Sequence, residues 1–135
     1  KPNEIIYSIV IPKISERKYY TYYFKLGRRN AMNITRLSLC ISIAFNDKHV
    51  IDYCSIVSGA LLEKVVKHGD SEQILKNSIL NTKTISDILL KTEEILNNSI
   101  GKRWSSAYKI PVFCSLLKDG LFSIKKEYED GFNKF

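Results

Sequence analysis

ITRLSLCISIAFNDKHVIDYCSIVS, residues 34–58, is the stretch on which the fold turns. From Arg36 onward its apolar and polar residues alternate strictly. Leu37, Leu39, Ile41, Ile43 and Phe45 share one face, and Arg36, Ser38, Cys40, Ser42 and Ala44 share the other, as successive side chains of a strand must. Asn46-Asp47-Lys48 supplies turn chemistry, and His49 to Ser58 forms a second run, so residues 34–58 predict an antiparallel hairpin. Small residues opposite the leucines invite another layer to approach closely, either helices of this chain or a second domain.

Upstream, Glu4 to Pro12 (EIIYSIVIP) is short, β-branched and aromatic, with Ile5, Tyr7, Ile9 and Ile11 on one face and Pro12 as its stop. It predicts a largely buried strand. Downstream of Gly59 the period becomes helical. Asp70 or Ser71 can cap a short helix to about Leu80, and Thr84-Ile85-Ser86-Asp87 resembles a capping box for a longer helix that Gly101 ends. Its apolar stripe is Ile85, Ile88, Leu89, Leu96 and Ile100. A last helix from about Lys109 to Glu129 buries Val112, Leu116, Leu117, Leu121 and Ile124, with Pro111 tolerated in its first turn. Strands followed by helices predict an α+β fold, in which an antiparallel sheet of three to four strands packs against about three helices.

The chain has 135 residues, 44% of them hydrophobic and 26% charged, which suits one ordinary globular domain, residues 1–135, and excludes a disordered or collagen-like chain. No apolar run is long enough to span a membrane. Position 1 is not Met, which fits a segment cut from a longer protein. A formal charge of +7 favours an anionic partner, whether nucleic acid, an acidic subunit or a phosphate-bearing cofactor. Cys40, Cys54 and Cys114 are odd in number and widely spaced; they read as buried small hydrophobes in a reducing cytoplasm.

Little in the sequence suggests catalysis by this chain alone. It holds no G-x-S-x-G, no GxxxxGK[ST] and no GxGxxG, and Glu93-Glu94 reads as a solvated pair on a helix. His49 and His68 read as surface or turn residues. Lys18 to Arg29 (KYYTYYFKLGRR) gathers four tyrosines, a phenylalanine and four basic groups. Single-stranded nucleic acid would use such rings for stacking and such cations for phosphates. A Tyr-rich edge strand packed on a core gives the same text. A third reading has Lys25, Arg28 and Arg29, beside Gly27, facing an anionic or electron-rich cofactor.

At residues 25–33 the text KLGRRNAMN, running into ITRLSLCISI, resembles the carboxy-terminal domain of the flavin subunit of molybdenum hydroxylases, the family of xanthine dehydrogenase and the carbon monoxide dehydrogenase flavoprotein. The similar features are an Ile-rich strand ending in Pro (Ile9-Val10-Ile11-Pro12) and an aromatic-x-Lys-x-x-x-Arg stretch. An alternating strand, a hairpin and a helical tail containing Ser106-Ala107-Tyr108-Lys109 follow in the same order, so the resemblance spans about Glu4 to Ser123. Asn33 stands where the family has Asp, and Ala60 to Val66 replaces an Ala-Pro-Thr-Pro-like segment.

The resemblance implies a CO dehydrogenase flavoprotein C-terminal domain-like fold acting as a cap over flavin adenine dinucleotide (FAD), most of which a separate N-terminal FAD-binding domain would hold. No glycine-rich loop of that domain occurs in this chain. Lys25 and Arg29 are the cofactor-binding residues it implies, Lys25 approaching the flavin ring. The implied partners are a subunit carrying molybdenum-molybdopterin, a subunit carrying 2Fe-2S clusters, and NAD as electron acceptor. A nucleic-acid-binding α+β module using Lys18 to Arg29 is the alternative.

Overall fold

The computed structural model describes residues 2–11, 17–29, 33–100 and 106–132. Four strands run β1 (Tyr20–Leu26), β2 (Leu37–Phe45), β3 (Ile51–Gly59) and β4 (Val66–Lys67), followed by helices α1 (Gly69–Leu75), α2 (Thr82–Ile100) and α3 (Ser106–Phe132). The sheet is antiparallel throughout, with strand order β1-β2-β3-β4. This is the α+β arrangement expected from the order of the patterns.

The central hairpin forms because only one register puts the whole leucine–isoleucine row on one side. Ile41 pairs with Tyr22 on β1 and with Ile56 on β3, and Ile43 pairs with Tyr20 and Cys54. Leu37, Leu39, Ile41, Ile43 and Ile56 are buried, and Ile85, Ile88, Leu96, Phe113, Leu117, Leu121 and Ile124 from the helices join the same core. Gly120 is what lets α3 sit down on this face. A Cβ there would come within 2.6 Å of both the Ile41 and Tyr22 side chains.

All the helices contribute to the leucine face. The opposite face, with Ser38, Cys40 and Ser42 half-buried beside the exposed Tyr23 and Lys25, is not beneath a helix of the described residues. The second layer expected over the small residues is therefore absent from the described part of this chain.

Several local expectations are corrected. Residues 4–11 belong to no strand, and Ile5, Ile6, Tyr7, Ile9, Val10 and Ile11 are 80–100% exposed. Apolar, β-branched text favours a strand, but a strand needs a paired neighbour, and this segment pairs with none of β1 to β4. Helix α1 ends at Leu75, five residues before the expected Leu80. There, residues 77 and 78 turn back to bond β3: Asn77 N–H donates to Ile51 O (2.8 Å) and Ile51 N–H to Ser78 O (2.8 Å). Asn77 takes φ 64°, a left-handed conformation that asparagine tolerates.

Ser71 does not cap α1. Its hydroxyl is buried in a hydrogen bond with Thr92 Oγ1 of α2 at 2.9 Å. Asn81 rather than Thr84 caps α2, its Oδ1 accepting the Thr84 N–H at 2.9 Å, so the helix begins three residues earlier. Pro111 lies past the first turn of α3, which starts at Ser106; having no N–H, it cannot donate to the Ala107 carbonyl. Pro12 and Gly101, expected as stops, lie outside the described residues.

His68 is buried, not a surface residue. It shares a hydrogen bond with Ser58 Oγ at 2.8 Å, its ring lies 4.8 Å from that of Phe113, and burial lowers its pKa from 6.5. His49 does occupy the hairpin turn, with φ 61°. The cysteines are free; burial pushes Cys54 up to about 12 and Cys114 to about 11, so neither is a thiolate at neutral pH.

Candidate functional site

Two cavities lie at opposite ends of the β1–β2 ladder. The one at the hairpin-turn end, of about 470 Å³, is lined by Arg17, Lys18, Tyr20, Phe45, Asn46, Asp47, His49 and Tyr128. Much of its chemistry is already committed. Arg17 is paired with Asp52 at 2.7 Å, and Lys18 Nζ stands over the Tyr20 ring at 4.7 Å. Phe45 and Tyr128 stack on each other with ring centres 3.8 Å apart, and His49 Nδ1 shares a 2.6 Å hydrogen bond with the Tyr128 hydroxyl. These contacts tie α3 to the turn and read as packing.

The cavity at the other end, about 320 Å³, is different in kind. Among the described residues, Arg28, Arg29, Asn33, Ile34 and Arg36 line it, bringing three guanidiniums together. The chain builds it where β1 gives way to β2. A hydrogen bond from Arg36 N–H to Leu26 O (2.8 Å) closes the connection, bringing Arg36 round to Arg28 and Arg29. Asn33 Nδ2 donates to Arg29 O at 2.7 Å and braces the loop from inside.

Gly27 makes that brace possible. A Cβ on residue 27 would fall 1.6–1.8 Å from the Asn33 amide atoms, so any side chain there would expel Asn33. Asn33 Oδ1 is buried without a hydrogen-bond partner in the structure. Ile34, 87% exposed, adds an apolar wall. The corner thus presents charged donors and an apolar contact, with the Asn33 Oδ1 buried beneath them. Guanidinium groups of this kind suit a ligand carrying carbonyl or anionic oxygens.

Of the two residues expected to meet a cofactor, Arg29 lines this cavity. Lys25 is exposed four residues earlier in β1, on the open face of the sheet opposite Ser38, and is not among the lining residues. Sequence reasoning did not single out Arg36. It stood on the polar face of an alternating strand, and only the hydrogen bond across the connection brings it to the other arginines.

The aromatic strip does not form a stacking platform for nucleic acid. Alternation divides its rings between two faces: Tyr20, Tyr22 and Phe24 pair on the core face, while Tyr23 points to the open one. Tyr20 is buried against Phe45 and Tyr128, with ring centres 5.7 and 5.3 Å away. Tyr19 meets Tyr53 edge-on at 5.3 Å. These observations favour the structural reading of the strip over the nucleic-acid one.

No curated protein matches the sequence. Solved structures share its fold at low identity. Carbon monoxide dehydrogenase from Hydrogenophaga pseudoflava, in a form lacking the Mo-pyranopterin moiety of its molybdenum cofactor, gives a TM-score of 0.68 at 11% identity over 86% of this chain and 39% of that one. Reconstituted CO dehydrogenase from Oligotropha carboxidovorans gives 0.63 at 13% identity over 80% and 37%. Quinoline 2-oxidoreductase from Pseudomonas putida 86 gives 0.62 at 10% identity over 81% and 38%. The chain therefore spans less than two-fifths of the chains it resembles. The sequence model of the CO dehydrogenase flavoprotein C-terminal domain matches residues 22–123, from β1 into α3 and across the whole arginine corner. With most of its length matched, and with the fold those structures share, the chain belongs to the CO dehydrogenase flavoprotein C-terminal domain family.

Proposed function

We propose that this chain is the C-terminal cap of the FAD subunit of a molybdenum hydroxylase, and that its arginine corner closes over the flavin. The carrying observation is the cavity of Arg28, Arg29 and Arg36 at the β1–β2 connection of a chain in this family. A flavin suits this corner: its ring is flat and largely apolar, and its carbonyl oxygens accept hydrogen bonds from guanidinium groups. FAD, when bound, would supply the two-electron chemistry that passes electrons onward from the 2Fe-2S clusters.

The chain's own residues would orient and polarise. Arg28, Arg29 and Arg36 would hold the electron-rich edge of the ring, and Ile34 would cover its face and exclude water. Lys25, on the adjoining open face, would lie at the rim. A cation near the ring stabilises the anionic reduced form more than the neutral oxidised form, because Coulomb attraction acts only on the former's extra charge.

The remaining FAD contacts fall to an N-terminal FAD-binding domain, and the molybdopterin and 2Fe-2S subunits complete the assembly. A cytoplasmic enzyme of the xanthine dehydrogenase type passing electrons to NAD is the specific form we propose. The substrate itself would be chosen by the molybdenum subunit.

The test is made on the complete flavin subunit. Arg29→Met and Lys25→Met should each lower the flavin reduction potential by roughly 30 to 60 mV, the two-electron equivalent of about 1.4 to 2.8 kcal/mol. Unshifted potentials in both variants would remove these side chains from the flavin's surroundings.

A further inference from the structure

The core-face end of the tyrosine-rich strip carries chemistry that the arginine corner does not use. Tyr20 of β1 meets Tyr128 of α3 edge-on, with ring centres 5.3 Å apart, and Phe45 of β2 stacks on Tyr128 at 3.8 Å. Packing accounts for the rings, but the Tyr128 hydroxyl also shares a 2.6 Å hydrogen bond with His49 Nδ1. The hairpin turn positions that imidazole. His49 takes φ 61°, and Asn46 Oδ1 braces the turn by accepting the Lys48 and Val50 N–H groups at 3.0 and 3.1 Å.

A phenol loses one electron more readily than a benzene ring or an imidazole, provided that its proton has somewhere to go. The radical cation left behind is a strong acid, so oxidation is fast where a base already holds the phenolic hydrogen. With its own proton on Nε2, His49 offers Nδ1 as such a base, within the reach that proton transfer requires. Burial, and after it Tyr20, hold the Tyr128 pKa above 10, so the phenol keeps its proton at neutral pH until an electron leaves.

Tyr20 is tuned the other way. Lys18 Nζ stands 4.7 Å from the centre of its ring, and a cation there opposes the positive charge that electron loss would create. An oxidising equivalent arriving at the buried Tyr20 is therefore driven on to Tyr128. His49 is exposed and exchanges its proton with water, and the 470 Å³ cavity bordered by His49 and Tyr128 admits a small solute to the pair.

We propose that Tyr128 and His49 form a redox site that draws an oxidising equivalent out of the protein interior and holds it near the surface as a neutral tyrosyl radical. In this step the Tyr128 O–H bond breaks. Its electron passes to the oxidant, directly or by way of Tyr20, and its proton passes to His49 Nδ1, leaving a phenoxyl radical beside an imidazolium. The oxidant is a radical derived from dioxygen or peroxide. A soluble thiolate or enediolate entering the cavity returns the electron, becoming a radical itself, and His49 returns the proton. Only the origin of the oxidant beside a reduced flavin rests on the function proposed above.

The test is to oxidise the full-length protein with photogenerated tris(bipyridine)ruthenium(III), freeze it, and record electron paramagnetic resonance spectra. The parent should give a tyrosyl signal coupled to one exchangeable proton, the one transferred to His49, and the coupling should vanish in heavy water. Tyr128→Phe, which keeps the stack on Phe45, should remove the signal. His49→Asn retains a residue that tolerates the left-handed turn and removes the base, so radical formation should slow about a hundredfold. Tyr53→Phe, in the edge-on pair with Tyr19, should change neither signal nor rate.

Urea midpoints of the variants identify any that are merely unfolded, and the His49→Asn rate then decides, since a purely structural contact would leave it unmoved. The same tyrosyl signal in Tyr128→Phe, or an unchanged rate in His49→Asn, would overturn the proposal. Because ruthenium supplies the oxidant, neither result depends on flavin; that reading stands or falls on the potentials of Arg29→Met and Lys25→Met.

Discussion

The two faces of the central strand are opposite environments built from alternate residues from Leu37 to Ile43. On one, Leu37, Leu39, Ile41 and Ile43 are at most 1% exposed beneath three helices; on the other, Ser38, Cys40 and Ser42 are half-buried with no helix above them. The difference teaches that small side chains are not in themselves evidence of close packing. The same Ser-Cys-Ser row that would admit a second layer is equally content beneath the side chains of its neighbouring strands. Here the strand β1 partners of that row are Thr21, Tyr23 and Lys25, and Thr21 Oγ1 lies 3.5 Å from Ser42 Oγ.

Substitutions on the two faces should separate sharply. Leu39→Ala, which empties space beneath the helices, should lower stability by about 2 to 5 kcal/mol, measured by urea denaturation. A cost below about 1 kcal/mol would mean that the helices are loosely seated. His68, at the margin of the same core, should give a smaller and pH-dependent effect. Its folded pKa is held below 6.5 by burial, so the unfolded chain takes up a proton first. The stability it contributes is therefore full above pH 6.5 and declines as pH falls through the folded pKa. His68→Phe, which can stack on Phe113 but cannot titrate, should flatten that part of the stability–pH profile; an unchanged profile would assign the acid sensitivity to other groups.

On the open face, Ser42→Phe should shift stability by no more than about 0.5 kcal/mol, since the ring can extend over the sheet rather than into a core. A loss of about 1 to 3 kcal/mol in the complete subunit would show that another domain covers this face there.

What the sequence made readable follows the same division. The hairpin was legible because an alternation of nine residues has one register that buries it. The apolar stripes of α2 and α3 were legible because core contacts repeat with the helical turn. Helix ends were less so: Ser71 has the right chemistry for a cap, but a buried hydroxyl of Thr92 competes for it, and that meeting depends on how α1 and α2 pack. His68 was misread for a related reason, since its partners Ser58 and Phe113 are distant in sequence.

Residues 4–11 were read as a largely buried strand and are neither strand nor buried, because composition states a demand for burial without naming what meets it. In the candidate site, Lys25 and Arg29 came from the resemblance. Arg36 and the Gly27–Asn33 contact depend on the path of the connection between β1 and β2, which spacing alone does not describe.

The strand order β1-β2-β3-β4 repeats the order of the chain, and this has a kinetic consequence. Every ladder joins sequence neighbours, so the sheet can zip up from local contacts with little loop-closure entropy. Helix α3 is the exception: it packs on β1 and β2 from the far end of the sequence and must arrive after them. Truncating Ile41 or Ile56 should slow refolding in stopped-flow experiments, whereas truncating Leu117 should chiefly hasten unfolding. During synthesis, then, the cationic connection between β1 and β2 is shaped before the helix that buries the sheet has left the ribosome.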